Sequence, residues 1–220
     1  MTDQQVVALP EVEPRARAFR LVARFYVFIL ILGLIGNAYF MLELYGPRSL
    51  WLDEDLEASL WQAYAAVRLL VFLISALLFL MWHYRVHYQL HAVRGSGVKF
   101  SPSMVVVGWL IPLANLVLPY LVVRSSWQAS YASMDRADGS LPGYLIFWWF
   151  GYLLGETLTS VADNMFENTS TVQSFTTATI VESVGFICLI VSALLALRLV
   201  KQITARINDL KMLAQASQFD

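Results

Sequence analysis

The sequence holds few charged residues for its length. Of its 220 residues only 14% are charged and 58% are hydrophobic, whereas soluble domains carry about 25% charged residues. The mean hydropathy is +0.60. A soluble core of this size could not cover so much apolar surface. We therefore expect lipid to be the solvent for most of the chain.

Cysteine is nearly absent, and the common catalytic motifs are missing. Cys188 is the only cysteine, which excludes an intrachain disulfide and leaves the redox compartment open. A formal net charge of -1 without a concentrated basic patch argues against a nucleic-acid partner. The chain has no phosphate loop, no nucleophile elbow and no HExxH motif. We expect no cofactor and no enzymatic activity.

Long apolar runs predict an all-α integral membrane protein. A cytoplasmic tail at 1–19 would precede a single membrane domain at 20–200, and an amphipathic helix at 201–220 would follow it. Within that helix apolar residues recur at helical spacing and favour packing on the body of the protein. The four runs long enough to cross a hydrocarbon core of about 30 Å are 21–44, 60–82, 143–161 and 176–200.

The distribution of lysine and arginine predicts the orientation. Basic residues cluster before the first run, in the loop at 83–103 and after the last run. The loop at 46–59 is mainly acidic. Because cytoplasmic loops carry the excess of basic residues, we expect both termini in the cytoplasm of a cell-membrane protein. The basic loop would lie against anionic lipid headgroups.

A fifth apolar run, 104–123, conflicts with that orientation, because two cytoplasmic termini require an even number of spans. Pro112 and Pro119 interrupt the run, with Asn115 between them. Each proline removes a backbone donor and disturbs the preceding turn. We expect a re-entrant hairpin, which is permitted where protein covers the backbone. A proline-kinked fifth span is the alternative. The charged segment at 124–142 is expected to follow the membrane interface.

All three histidines stand at spacing i, i+4, i+8, namely His83, His87 and His91. Two histidines one turn apart can bind one metal ion. The outer two are about 12 Å apart along a helix axis, and no cysteine or carboxylate lies nearby to complete a site. No other helix carries a histidine for haem ligation. The aromatic and basic surroundings favour a helix leaving the membrane at headgroup level.

Four polar residues are predicted to share one layer inside the membrane. Counting from the outer end at 1.5 Å per residue, each lies roughly 10 Å deep. Charges within spans usually pair or line a cavity. The hypothesis is an ion pair between the arginine and one carboxylate, and the layer serves either a fixed helix register or a proton or anion pathway. The four residues are Asn37, Arg68, Glu156 and Glu182.

The stretch from Phe79 to Ser130 resembles a bacterial family of small multi-pass membrane proteins catalogued as a domain of unknown function. The pattern is W-x-x-R, then F-S-P, then W-x-x-P-x-x-N-x-x-x-P. Gln89 departs from it, since asparagine is frequent there. The resemblance implies a membrane location and supplies no catalytic residue. The residues that carry it are Trp82, Arg85, Phe100, Ser101, Pro102, Trp109, Pro112, Asn115, Pro119 and Trp127.

These observations favour a non-catalytic membrane accessory or interaction protein. A small transporter or channel-like protein built on the polar layer is the first alternative, and at this chain length it would require a homo-oligomer. An enzyme acting on lipid, with Trp82, Arg85 and Trp127 at headgroup level, is the second. The bilayer is the expected partner, together with a second copy or another membrane protein.

Overall fold

The computed structural model describes residues 11–46, 53–92, 97–132 and 140–216. These residues form six α-helices and their connecting turns. A short 3-10 turn, Ala114–Leu116, lies between the third and fourth helices. In chain order the helices are α1 (Glu13–Tyr45), α2 (Glu54–Ala92), α3 (Met104–Leu110), α4 (Leu118–Ala132), α5 (Tyr144–Glu167) and α6 (Val172–Ala216).

Four of these helices, α1, α2, α5 and α6, are long and apolar enough to cross a membrane. Only 22% to 33% of the most apolar window of each is buried inside the protein. The uncovered remainder is rich in large apolar side chains, such as Leu69 and Leu73 on α2. A soluble monomer does not leave so much apolar surface in contact with water. The expected all-α membrane fold with four spanning helices is confirmed.

Proline chemistry explains the broken segment. Ile111 ends α3 in an extended conformation (φ -91°, ψ 115°), which is the conformation that a following proline favours. Pro119 stands in the first turn of α4, where its missing N–H has no helical partner to lose. At about 10 Å, α3 is too short to cross a bilayer. Gly108 of α3 lies against Leu118 of α4. The run is therefore two helices in contact, and α4 passes through the predicted boundary at 123/124 without interruption.

The chain divides into two compact units, which are described separately. Unit 2 comprises residues 20–76 and 143–198. Its apolar centre is formed by Tyr26, Leu30, Val71, Phe186 and Leu189. Aromatic rings extend this packing, since Phe40 stacks on Trp61 at 4.8 Å between ring centres. Unit 2 thus combines an apolar surface with an aromatic and aliphatic interior.

Unit 1 comprises residues 1–19, 77–142 and 199–220. In this unit the ring of Phe79 on α2 contacts two other helices. Its centre lies 5.4 Å from that of Phe19 on α1 and 6.1 Å from that of Trp109 on α3. The apolar face predicted after residue 200 is buried here, because Ile203 and Ile207 are 0% and 4% exposed. That segment is part of α6 and packs on the protein's own body.

Candidate functional site

The predicted polar layer lies in unit 2, with one residue from each spanning helix. Asn37 of α1 and Glu182 of α6 are buried, whereas Arg68 of α2 and Glu156 of α5 are half-buried. The Asn37 amide donates a hydrogen bond to the Ser183 hydroxyl at 3.0 Å, which links α1 to α6. The same amide lies beside the Glu182 carboxyl group. The structure therefore brings the polar groups of α1 and α6 into contact.

Arg68 interacts with both carboxylates of the layer. Its charge is close enough to attract Glu156 and Glu182, and its guanidinium carbon lies 5.4 Å from the centre of the Phe186 ring. A cation over an aromatic face gains additional electrostatic stabilisation. The guanidinium thus lies against an aromatic ring and within electrostatic range of both acids.

Small residues bring the helices together beside the two acids. A side-chain carbon added to Gly185 of α6 would lie 3.2 Å from the Gly155 carbonyl oxygen of α5. Both glycines are buried. Gly155 immediately precedes Glu156, and Gly185 follows Ser183 by two residues. The backbone contact between α5 and α6 therefore fixes the position at which Glu156 and Glu182 leave their helices.

Tyr64 is a further polar group in unit 2 that the sequence did not point to. Its hydroxyl is buried and has no hydrogen-bond partner among the described residues. The hydroxyl lies directly against Gly33 of α1, and the side chain interacts electrostatically with Arg68 and Glu182. A buried hydroxyl without a hydrogen-bond partner is costly.

The histidines lie in unit 1, where they contact α4 and the Phe100 carbonyl group. His83 and His87 are 1% and 0% exposed, and the Nε2 atoms of both lie within 2.8 Å of the Ser126 hydroxyl oxygen of α4. His91 is exposed, and its Nε2 donates to the Phe100 carbonyl oxygen at 2.7 Å. The rings thus tie α2 to the segment that follows it. The sequence did not predict that α4 covers two of them.

This arrangement does not resemble a metal centre. In the described part of the chain, no group of three or more histidine, cysteine, aspartate or glutamate side chains could hold a metal ion. His87 also directs Nδ1 toward the Phe100 carbonyl oxygen at 3.3 Å, so both of its nitrogens face oxygen atoms of the protein. The Nδ1 atom of His83 is buried without a partner among the described residues.

Two tryptophans of the sequence pattern occupy the same unit. Trp82 is fully buried and donates from Nε1 to the Thr204 hydroxyl at 2.9 Å. The guanidinium of Arg206 lies 3.8 Å from the ring centres of both Trp127 and Tyr131. It also donates to the Tyr131 hydroxyl at 2.8 Å. Residues after position 200 are therefore joined to α2 and α4 by specific polar contacts.

The remaining pattern residues shape the broken segment. Trp109 packs edge-on against Phe79, and Pro112 and Pro119 bound the turn. The backbone N–H of Asn115 donates to the Ile111 carbonyl oxygen at 2.7 Å. Its side-chain oxygen is buried without a partner in the described chain. Arg85 is half-buried at the end of the α2 apolar run.

Several partners of these residues escaped the sequence analysis. Ser183, Ser126, Thr204 and Arg206 each complete a buried contact, yet none stands in a recognisable motif. Serine and threonine are common in membrane helices, where they hydrogen-bond to the backbone of their own helix. Their presence therefore does not predict a contact with another helix.

Four apolar spanning helices with a proline-broken pair of short helices define a multi-pass helical membrane protein. The family model described as a domain of unknown function (DUF4328) matches residues 53–205, and the chain belongs to this family. The expected membership of a family catalogued as a domain of unknown function is thereby confirmed. No curated protein and no solved structure matches the chain.

Proposed function

We propose that this protein is a non-catalytic accessory protein of the cell membrane, with both termini in the cytoplasm. In this proposal the polar layer holds the helices in register and carries no substrate. The observation that supports it most directly is the hydrogen bond from Asn37 to Ser183. A polar group of the layer is used between helices, as expected for a structural role in lipid.

The burial of the tryptophans favours a non-enzymatic role over action on lipids. A lipid-modifying site would need Trp82 and Trp127 at the surface, where they could contact headgroups. Trp82 is instead 0% exposed and Trp127 3% exposed. Both rings are occupied by contacts inside the protein.

The expected partners are the bilayer itself and either a second copy of the chain or another membrane protein. The basic segment after α2 would contact anionic headgroups on the cytoplasmic side, since arginine and lysine near a span are attracted to acidic lipids. The exposed apolar side chains on α2 and α6 provide surface for a helical partner in the membrane.

A small transporter is the second candidate, and two observations favour it. Arg68 lies within electrostatic range of two carboxylates, and the nearby Tyr64 hydroxyl is buried without a described partner. Ionisable groups within a membrane often mark an ion or proton path. In this candidate Glu156 or Glu182 would exchange a proton during transport.

The two candidates are separated by measuring proton flux in proteoliposomes together with thermal stability in detergent. The purified full-length protein is compared with Glu156→Gln and Glu182→Gln, each of which keeps the size of the side chain while removing its charge. Vesicles without protein provide the baseline, and a pH-sensitive dye inside the vesicles reports the flux under an imposed potential.

An accessory role predicts no flux above the protein-free baseline for the wild type, with lowered melting temperatures for the two variants. A wild-type flux that disappears in a variant of unchanged melting temperature would overturn the accessory proposal in favour of transport. The variant Tyr64→Phe lacks the buried hydroxyl. A flux that this variant shows and the wild type does not would also contradict a purely structural layer.

A further inference from the structure

An open groove of about 470 Å³ lies on the surface of unit 1. One wall is a single face of α2, on which the lining residues recur at helical spacing. The apolar part of the lining is formed by Leu77, Leu80 and Met81 of α2 and by Val106 of α3. Leu77 is 58% exposed and Met81 41% exposed. This part of the groove is therefore open and matches a hydrocarbon chain.

The other end of the groove is cationic and aromatic. Arg15 of α1 and Arg85 of α2 line it, together with Tyr84 and Tyr88, and none of the described residues of the lining is acidic. Neither arginine makes an ion pair or hydrogen bond with another residue in the described part of the chain. Two half-buried guanidinium groups without an acidic partner form a site for an anion, and arginine matches the geometry of a phosphate.

The two arginines lie on the same side of the contact between Phe19 and Phe79, which holds α1 against α2. Arg15 precedes Phe19 by about 6 Å along its helix, and Arg85 follows Phe79 by about 9 Å. Since those helices run in opposite directions at this contact under the predicted topology, both displacements point the same way. The guanidinium groups can thus act on one ligand.

The groove also crosses the end of the apolar run of α2. Leu77 lies within the predicted span at 60–82, whereas Arg85 lies beyond it, about 12 Å further along the helix axis. Tyrosine is typical of this boundary, where its ring meets hydrocarbon and its hydroxyl meets water. The lining of α2 thus changes from apolar side chains to a mixed tyrosine and arginine end, as the acyl chain of a phospholipid changes to its headgroup.

We infer that this groove is a binding site for one acidic phospholipid. The phosphate lies between Arg15 and Arg85, and one acyl chain lies along Leu77, Leu80 and Met81. This inference deepens the proposed contact with anionic headgroups and rests on that part of the proposed function. It converts a general attraction between a basic segment and the membrane surface into one site with defined lining residues.

The site is tested by native mass spectrometry of the full-length protein in detergent micelles. Phosphatidylglycerol is titrated against phosphatidylcholine with the same acyl chains. We expect the first phosphatidylglycerol to bind about tenfold more tightly than phosphatidylcholine, and Arg15→Gln and Arg85→Gln each to weaken it about tenfold, or about 1.4 kcal/mol. The matched control is Arg17→Gln, an exposed arginine of α1 outside the groove, and we expect no change.

Two further arms identify the ligand. Inorganic phosphate at millimolar concentration should not displace phosphatidylglycerol, because it lacks the acyl chain. Met81→Trp fills the apolar wall and should weaken binding although both arginines remain. A phosphatidylglycerol with a photoreactive acyl chain should label residues 77–81 in the wild type, which supports the site without any variant that might fail to fold.

Equal affinity for the two lipids would overturn the site, as would equal weakening by Arg15→Gln and Arg17→Gln, which indicates general surface attraction. Displacement by inorganic phosphate, or labelling spread over all four spanning helices, would also contradict it. These outcomes leave the flux measurement unchanged, so failure of the lipid site and failure of the accessory role are distinguishable.

Discussion

Unit 2 and unit 1 use their polar side chains differently. In unit 2 most hydroxyl groups return to their own helix, as Thr179 does to the Phe175 carbonyl oxygen and Ser183 to that of Thr179. In unit 1 several polar groups also join distant segments, as Trp82 does with Thr204. Helices in lipid satisfy their polar groups locally. Unit 2 therefore depends on close packing, and unit 1 on a network of hydrogen bonds.

The residues that carry the sequence pattern lie in unit 1. Trp82, Arg85, Trp109, Asn115 and Trp127 all lie within residues 77–142 of unit 1. The polar layer of unit 2 lies outside the pattern. The pattern therefore corresponds to the hydrogen-bonded unit and to the proline-bounded turn, and it gives no information on the charged layer.

The largest expected effect is in the centre of unit 1. Replacing Trp82 by alanine removes a fully buried ring and leaves the Thr204 hydroxyl without its donor. We expect a loss of about 3–5 kcal/mol in the free energy of unfolding. The measurement is chemical unfolding in detergent, with Tyr88→Ala, which is 45% exposed on the same helix, as the control. Equal losses for the two variants would contradict the account of unit 1.

In unit 2 the largest effect should come from the glycine contact. The new carbon of Gly185→Ala would lie 2.8 Å from a Thr159 methyl group and 3.1 Å from the Thr159 backbone nitrogen. Because backbone cannot yield as a side chain can, we expect a loss of about 2–3 kcal/mol. Gly143→Ala is the control, since nothing lies within 4 Å of its added carbon. If both variants unfold alike, close packing does not determine the stability of unit 2.

A smaller effect is expected for the serine between the histidines. Ser126→Ala removes the oxygen that both His83 and His87 contact. It leaves Nε2 of His83 without its partner, whereas Nε2 of His87 keeps only the Val122 carbonyl oxygen at 3.5 Å. The expected loss is about 1–3 kcal/mol. Thermal unfolding of the variant is compared with that of Ser101→Ala, an exposed serine of the same unit. A stability equal to that of the control would show that the histidine network contributes nothing.

The smallest effect is expected for the hydrogen bond between Asn37 and Ser183 in unit 2. A double-mutant cycle with Asn37→Leu and Ser183→Ala measures the coupling between these side chains, which we expect to be about 0.6 kcal/mol, as for other hydrogen bonds between membrane helices. If this coupling is smaller than the loss for Ser126→Ala, individual hydrogen bonds contribute less to the stability of unit 2 than to that of unit 1. A coupling above about 2 kcal/mol would exceed the range for such bonds and would place the main stabilisation of unit 2 in its polar layer.

The sequence predicted the elements that depend on length and apolarity. Runs of about 20 apolar residues can satisfy their backbone in lipid only as helices, so four spans followed directly. Pro112 and Pro119 predicted the interruption at 104–123, because proline limits its own and the preceding backbone conformation. The continuation of α4 past residue 123 was missed, since Arg124 suggested that the apolar helix had ended.

Side-chain pairing was less accessible to prediction. The depth count placed Asn37, Arg68, Glu156 and Glu182 at one level, but not the serine that Asn37 binds. For His83 and His87, the sequence showed their common face and not what covers it. Which helix meets a given face depends on the packing of distant segments, and local spacing contains no information on that choice.

We propose that segment 104–132 returns to the side of the membrane from which it starts, while the four long helices cross. It is tested most directly by labelling single cysteines in intact cells with an impermeant reagent, in a Cys188→Ser background. The positions are Ser101→Cys, Ser140→Cys and Asn168→Cys, all exposed. We expect Asn168→Cys alone to label from outside. Labelling of Ser140→Cys from outside with Ser101→Cys protected would make the segment a fifth span and contradict the claim.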